Sequence, residues 1–68
     1  MNPTYKYIEI VGTSSESQDD AVRNAIKKAS ETVQHIHWFY IQETRGTVKD
    51  GAVTCFQVTV KAGFKINE

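Results

Sequence analysis

Thr4 to Val11 is dense in residues that suit an extended chain, Tyr5, Tyr7, Ile8, Ile10 and Val11, and it predicts a first strand. Gly12, Thr13, Ser14 and Ser15 read as the turn that ends it. The hydrophobic period then changes. Ala21, Val22, Ala25, Ile26, Ala29 and Val33 recur at helical spacing, which predicts one amphipathic helix. Ser17 is placed as its N-cap, with Asp20 three residues on as an approximate capping box. Asp19 and Asp20 fall in the first turn, where the helix dipole favours negative charge. Arg23, Lys27, Lys28 and Glu31 lie off the apolar stripe and read as a solvated face. Two more strand-like runs, His37 to Val48 and Ala52 to Ile66, flank Asp50-Gly51, a strong hairpin signal. The order is β-α-β-β. If the helix returns the chain so that the first two strands run the same way, the third fits between them. The expected fold is α+β: a three-stranded antiparallel sheet, order 1-3-2, packed on one helix. With 68 residues the chain is expected to be a single domain, 1–68.

Alternation along the strands sorts the side chains. Phe56, Val58, Val60, Ala62 and Phe64 form one face of the third strand; Cys55, Gln57, Thr59 and Lys61 form the other. In the second strand Phe39 and Ile41 share a face, and Trp38, Tyr40, Gln42 and Thr44 share the opposite one. In the first, Ile8 and Ile10 oppose Tyr5, Tyr7 and Glu9. The consistent solution puts phenylalanines and aliphatics under the helix. The three tyrosines and the single tryptophan then share the face turned away from it. Such residues suit surfaces with one dry and one hydrogen-bonding end, and a large exposed patch of them marks an interaction site. Trp38 is therefore expected to be covered by another subunit, a ligand or both. A two-residue turn at Asp50-Gly51 keeps Gln57 on the Trp38 face, nearly opposite Thr44, whereas a G1 bulge at Gly51 would flip that pairing; the former is preferred because it keeps Phe56 and Phe39 on one face. Trp38 and Gln57 then lie roughly 20 Å apart along the sheet, so a small ligand touching both needs two subunits.

Composition narrows the function. Hydrophobic residues are 40% and charged residues 24% of the chain, ordinary for a folded protein. A chain this short buries too little surface to be secure alone and often gains support from disulfides, a metal or oligomerisation. Cys55 is the only cysteine, so no disulfide forms within the chain, and a reducing, cytoplasmic setting is expected. His35, His37 and Cys55 are too few for a closed zinc site. Oligomerisation is left. A formal net charge of zero argues against nucleic-acid and membrane-surface binding through a basic patch. No apolar run of membrane-spanning length occurs. Catalysis finds little footing. Cys55 has no base placed beside it by spacing, Glu9 and Glu43 are lone strand carboxylates, and Gly12 and Gly46 form no phosphate loop. The chain is not expected to be an enzyme.

The stretches "YKYIEIVGTS", "DDAVRNAIKKAS", "WFYIQETRG" and "DGAVTCFQVTVKAGF", in this order and spacing, resemble the dodecins. The resemblance implies the β-α-β-β fold, assembly into a hollow homo-dodecamer, and non-enzymatic flavin binding (FMN or riboflavin) at subunit interfaces. It implies that Trp38 stacks on the isoalloxazine ring, that Gln57 hydrogen-bonds the polar edge of the flavin, and that Arg45 lies near the pocket. Lys65 and Lys6 are the candidates for a phosphate or nucleotide contact, and coenzyme A is a candidate second ligand. Thr47 and Lys65 depart from the pattern, where His and Arg are frequent; lysine keeps the charge but loses the planar fork that suits phosphate. The alternative is a ligand-free oligomer that serves as a protein–protein interaction scaffold.

Overall fold

The computed structural model describes residues 2–66. The elements are β1 (Tyr5–Ser14), α1 (Gln18–Ala29), β2 (Ile36–Lys49) and β3 (Ala52–Lys65). The sheet is antiparallel with order β1-β3-β2, as the hydrophobic pattern requires. The strand ends differ from expectation. Gly12, Thr13 and Ser14 are not a turn but the last residues of β1, paired with Val58, Gln57 and Phe56. Strand pairing outweighs the local turn preference because β3 offers a long partner. Gly12 is kept in the strand by the helix above it: a Cβ there would strike the Ala21 carbonyl oxygen and lie 2.7 Å from Ala25 Cβ.

The start of α1 is fixed by Ser17, whose Oγ accepts a hydrogen bond from the Asp20 amide at 3.0 Å. The box is not closed from the other side. The Asp20 carboxylate instead accepts from Ser14 Oγ at 2.7 Å, which ties the helix to the end of β1. The helix ends at Ala29 with Ser30 as C-cap, so Val33 lies beyond the helix whose stripe it was expected to extend. Arg23, Lys27, Lys28 and Glu31 are all exposed, and Lys28 Nζ reaches Glu31 Oε1 at 3.4 Å.

The core is small. Ala21, Val22, Val58 and Val60 form it, with Ile10 and Ile26 packed against its edge. Helix α1 covers β1 and β3 and leaves β2 bare. Phe39 and Ile41 are on the helix side of the sheet, as their alternation with Trp38 predicts, yet they are not under the helix; they are 46% and 43% exposed. Helix α1 packs chiefly on β1 and then on β3, so β2, at the opposite edge of the sheet, lies outside its footprint.

The hairpin has the expected two-residue turn, with Lys49 opposite Ala52 and positive φ at both Asp50 (51°) and Gly51 (78°), the signature of the type I′ turn. Its register does not run on undisturbed. A shift between Thr47 and Val48 leaves Thr54 as an extra residue, and Gln57 pairs with Arg45 rather than standing near Thr44. A second shift between Ile41 and Glu43 leaves Gln42 unpaired. That bulge reverses the alternation of β2. Glu43 and Arg45 take the Trp38 face, opposite Thr59 and Gln57, while Thr44 moves to the other face, opposite Val58.

Candidate functional site

The face turned away from the helix carries Tyr5, Tyr7 and Glu9 from β1, Trp38, Tyr40, Glu43 and Arg45 from β2, and Gln57, Thr59, Lys61, Gly63 and Lys65 from β3. The three tyrosines and Trp38 are all exposed there, from 39% for Tyr5 and Trp38 to 53% for Tyr7. The aromatic patch expected from alternation is therefore present.

Trp38 stands opposite Gly63. A Cβ at position 63 would fall on Trp38 Cε2, Cζ2 and Cδ2, so the indole occupies the room that the glycine leaves. The ring-fusion atoms are among the nearest, which means that the face of the indole, rather than an edge, rests on β3. Tyr5 meets the indole edge-on, with ring centroids 6.2 Å apart and planes at 61°. Tyr5 also meets His37 edge-on at 5.8 Å. The inner side of the indole is thus covered by its own chain, and the outer side is open. Such a surface can stack with a flat, electron-poor ring, a contact worth roughly 0.5–1.5 kcal/mol beyond area burial.

Gln57 and Arg45 form the other end of the face, paired with each other across β3 and β2. Gln57 is half-buried, and its side-chain amide offers both a donor and an acceptor. Arg45 Nη2 donates to Glu43 Oε1 and Oε2, both at 2.9 Å. The hydrogen bond to Glu43 and the charge of that carboxylate raise the Arg45 pKa above its ordinary value. Gly63, opposite Trp38, and Gln57 are six positions apart on β3, roughly 20 Å at strand rise. One protomer does not bring Trp38 and Gln57 to one small ring.

Lys61 occupies the middle of the patch, between Glu9 and Tyr40. Its Nζ lies 3.6 Å from Glu9 Oε1 and 4.8 Å from the Tyr7 ring centroid. Desolvation pulls its pKa down, but Tyr7, Tyr40 and Glu9 together outweigh this and hold it above the ordinary lysine value. Lys65 is on the Trp38 face, opposite Tyr5; Lys6 is on the helix-side face, opposite Phe64. The two lysines are therefore not convergent within a protomer. Cys55 is on the open-face row, opposite Thr47, with its thiol directed at the Phe56 carbonyl at 3.5 Å.

Sequence reasoning missed Gly63 and the role of Tyr5. A glycine inside an apolar strand, as in "VKAGF", is a signal of close approach by another group, and here that group is Trp38. Among the described residues, no group of three or more His, Cys, Asp or Glu side chains is placed to hold a metal ion, and no helix is long and apolar enough to cross a membrane.

Comparison with known proteins gives one answer. The family model described as Dodecin matches residues 4–67. A dodecin of Thermus thermophilus is 38% identical over 68 residues, which span 100% of this chain and 99% of that one. The structure of a dodecin from Streptomyces davaonensis superposes with a TM-score of 0.92 at 46% identity, covering 100% of both chains. A calcium-chelating dodecin of Mycobacterium tuberculosis is more distant, at TM-score 0.79 and 28% identity over 94% of this chain and 91% of that one. With its whole length matched by relatives of the same β1-β3-β2 architecture, the chain belongs to the dodecin family.

Proposed function

We propose that this protein binds and sequesters a flavin, FMN or riboflavin, between subunits of a hollow homo-dodecamer. The reading is of a binding protein rather than an enzyme. The observation that carries it is the Trp38 indole, seated on Gly63 with its outer face open. Gln57 and Arg45 share that sheet face but stand at its far end. A ring that stacks on Trp38 of one protomer and meets the Gln57 amide must therefore take the amide from another. The donor and acceptor pattern of a primary amide suits the uracil-like edge of an isoalloxazine. Lys65, beside Tyr5 on the same face, is the nearer candidate for an FMN phosphate. Lys6, on the opposite face, would serve a phosphate or a second ligand such as coenzyme A only from a different direction.

An electron-rich indole stacked on a flavin gives the excited ring a fast route back to its ground state, so bound flavin is expected to be nearly dark. The test is a fluorescence titration of riboflavin and of FMN, with lifetimes at saturating protein. Trp38→Phe keeps a flat contact but is a poorer electron donor, so quenching should fall more than affinity. Unquenched flavin in the presence of excess protein, or equal long lifetimes in wild type and Trp38→Phe, would overturn the assignment. An assembled protein that binds neither flavin would instead favour a ligand-free scaffold.

A further inference from the structure

We infer that Gly63 and Tyr5 are positioning residues that hold the Trp38 indole as a rigid, one-sided stacking platform. The inference rests on the flavin-binding reading for its purpose, but not for its geometry. All three of the nearest atoms that a Cβ at 63 would meet belong to Trp38. The closest conflicts are with that side chain rather than with the backbone of a neighbouring strand. Gly63 is buried and paired on both sides, with Tyr7 on β1 and Trp38 on β2. It therefore cannot withdraw from the indole without breaking the centre of the sheet. Tyr5 closes the arrangement from the β1 side by meeting the ring edge-on.

The consequence is functional. An exposed indole on a strand is ordinarily free to change rotamer. Here its inner face is in contact with β3 and Tyr5 packs against it at a steep angle, so the 39% of Trp38 that remains exposed is a prepared surface. A flat ligand then loses little affinity to ordering the side chain, because the ordering is done in the free protein. The same arrangement limits each protomer to one stacking face.

The chain has one tryptophan, which makes the platform directly observable without ligand. In the full-length protein, Gly63→Ala should lift the indole, shift its emission to longer wavelength and weaken the indole bands of the near-ultraviolet circular dichroism. Tyr5→Leu should do the same to a smaller degree while leaving the backbone unstrained. Riboflavin affinity should fall by about two- to tenfold in Gly63→Ala, the range that an aromatic stack is worth. In a Trp38→Ala background, Gly63→Ala should cost no further affinity, because the side chain through which it acts is gone.

Unchanged indole spectra in both single variants would overturn the inference. An equal loss of affinity from Gly63→Ala with and without Trp38 would also overturn it, by showing an effect through the sheet. Should Gly63→Ala fail to fold, the Tyr5→Leu spectra decide the matter. If the wild type binds no riboflavin, the flavin reading fails while the spectra still decide whether the platform exists.

Discussion

A residue's neighbours decide whether its chemistry can be used, and Gln57 and Lys61 illustrate two outcomes. Gln57 is half-buried beside Arg45, whose guanidinium is already engaged by Glu43. The Gln57 amide has no side-chain hydrogen-bond partner among the described residues and is free to meet a ligand. Gln57→Ala should weaken riboflavin binding by about 1–3 kcal/mol, the cost of leaving one partner of a buried hydrogen bond unpaired. That is roughly five- to 150-fold in a titration, with the sedimentation coefficient unchanged; full affinity would remove Gln57 from the site. Lys61 is instead consumed by its surroundings, held by Glu9 and the Tyr7 ring. Its folded pKa lies above the ordinary 10.5. A raised pKa contributes stability that is complete below the unfolded value and is lost as pH climbs through the folded one. The gap in urea midpoint between wild type and Lys61→Met should therefore stay constant from about pH 7 to 9 and close only at higher pH. A gap that shrinks below pH 9 would show that Lys61 is not held as described. At this scale the sequence was most legible where chemistry and alternation agree, as for Trp38, the tyrosines and Gln57. It was least legible for Gly63, because an absent side chain has a meaning only once its cross-strand neighbour is known.

Among the elements, β2 departs most from an ideal pattern, and the departures decide which of its side chains share the open face. Strict alternation from Trp38 would send Arg45 to the helix side. The unpaired Gln42 reverses the alternation and returns Arg45 to the face of Trp38 and Gln57. Strand existence, hairpin turn and strand order were readable from periodicity and Asp50-Gly51. The bulges were not, because an inserted residue leaves the composition of a strand unchanged and is defined only by its partner. The limit of β1 was misread for a related reason: Gly12-Thr13-Ser14 has turn composition but strand partners. Gly12 also sets the distance between α1 and β1. Its Gly12→Ala variant places a methyl group against the Ala21 carbonyl and the Ala25 Cβ, neither of which can rotate away. Overpacking of this kind costs about 1–3 kcal/mol. The urea midpoint should drop accordingly, and an unaltered midpoint would mean that α1 is free to lift from the sheet.

For the molecule as a whole, the single chain is more open than a compact domain of its length. Its radius of gyration is 14.1 Å and its extents are 54 × 20 × 13 Å, whereas a compact chain of this length has a radius near 11 Å. The cause is β2. It is exposed along nearly its entire length, with Trp38 and Tyr40 bare on one face and Phe39 and Ile41 on the other. On the helix side Phe39 and Ile41 open into a groove of about 560 Å³ that Val22, Ile26 and Ile36 also line, with Asp19, Arg23 and Lys27 on its helix rim, and that reaches His37 and Trp38. An uncovered groove beside an uncovered aromatic face exceeds what a stable monomer ordinarily exposes. Assembly is therefore expected to be a condition of folding, which makes the thermal midpoint depend on protein concentration. Phe39→Lys tests this on the face away from Trp38. Full burial of an aromatic side chain is worth about 1.5–3 kcal/mol, and roughly half of Phe39 awaits burial, so the substitution removes about 1 kcal/mol per copy before the cost of burying a charge. Sedimentation velocity at micromolar concentration should show a single large species for the wild type. Phe39→Lys should shift it toward small, poorly folded species, with a lower and more concentration-dependent midpoint. A wild-type monomer that melts cooperatively at a midpoint independent of concentration would show that the exposed strand needs no partner, and the interfacial site would lose its basis.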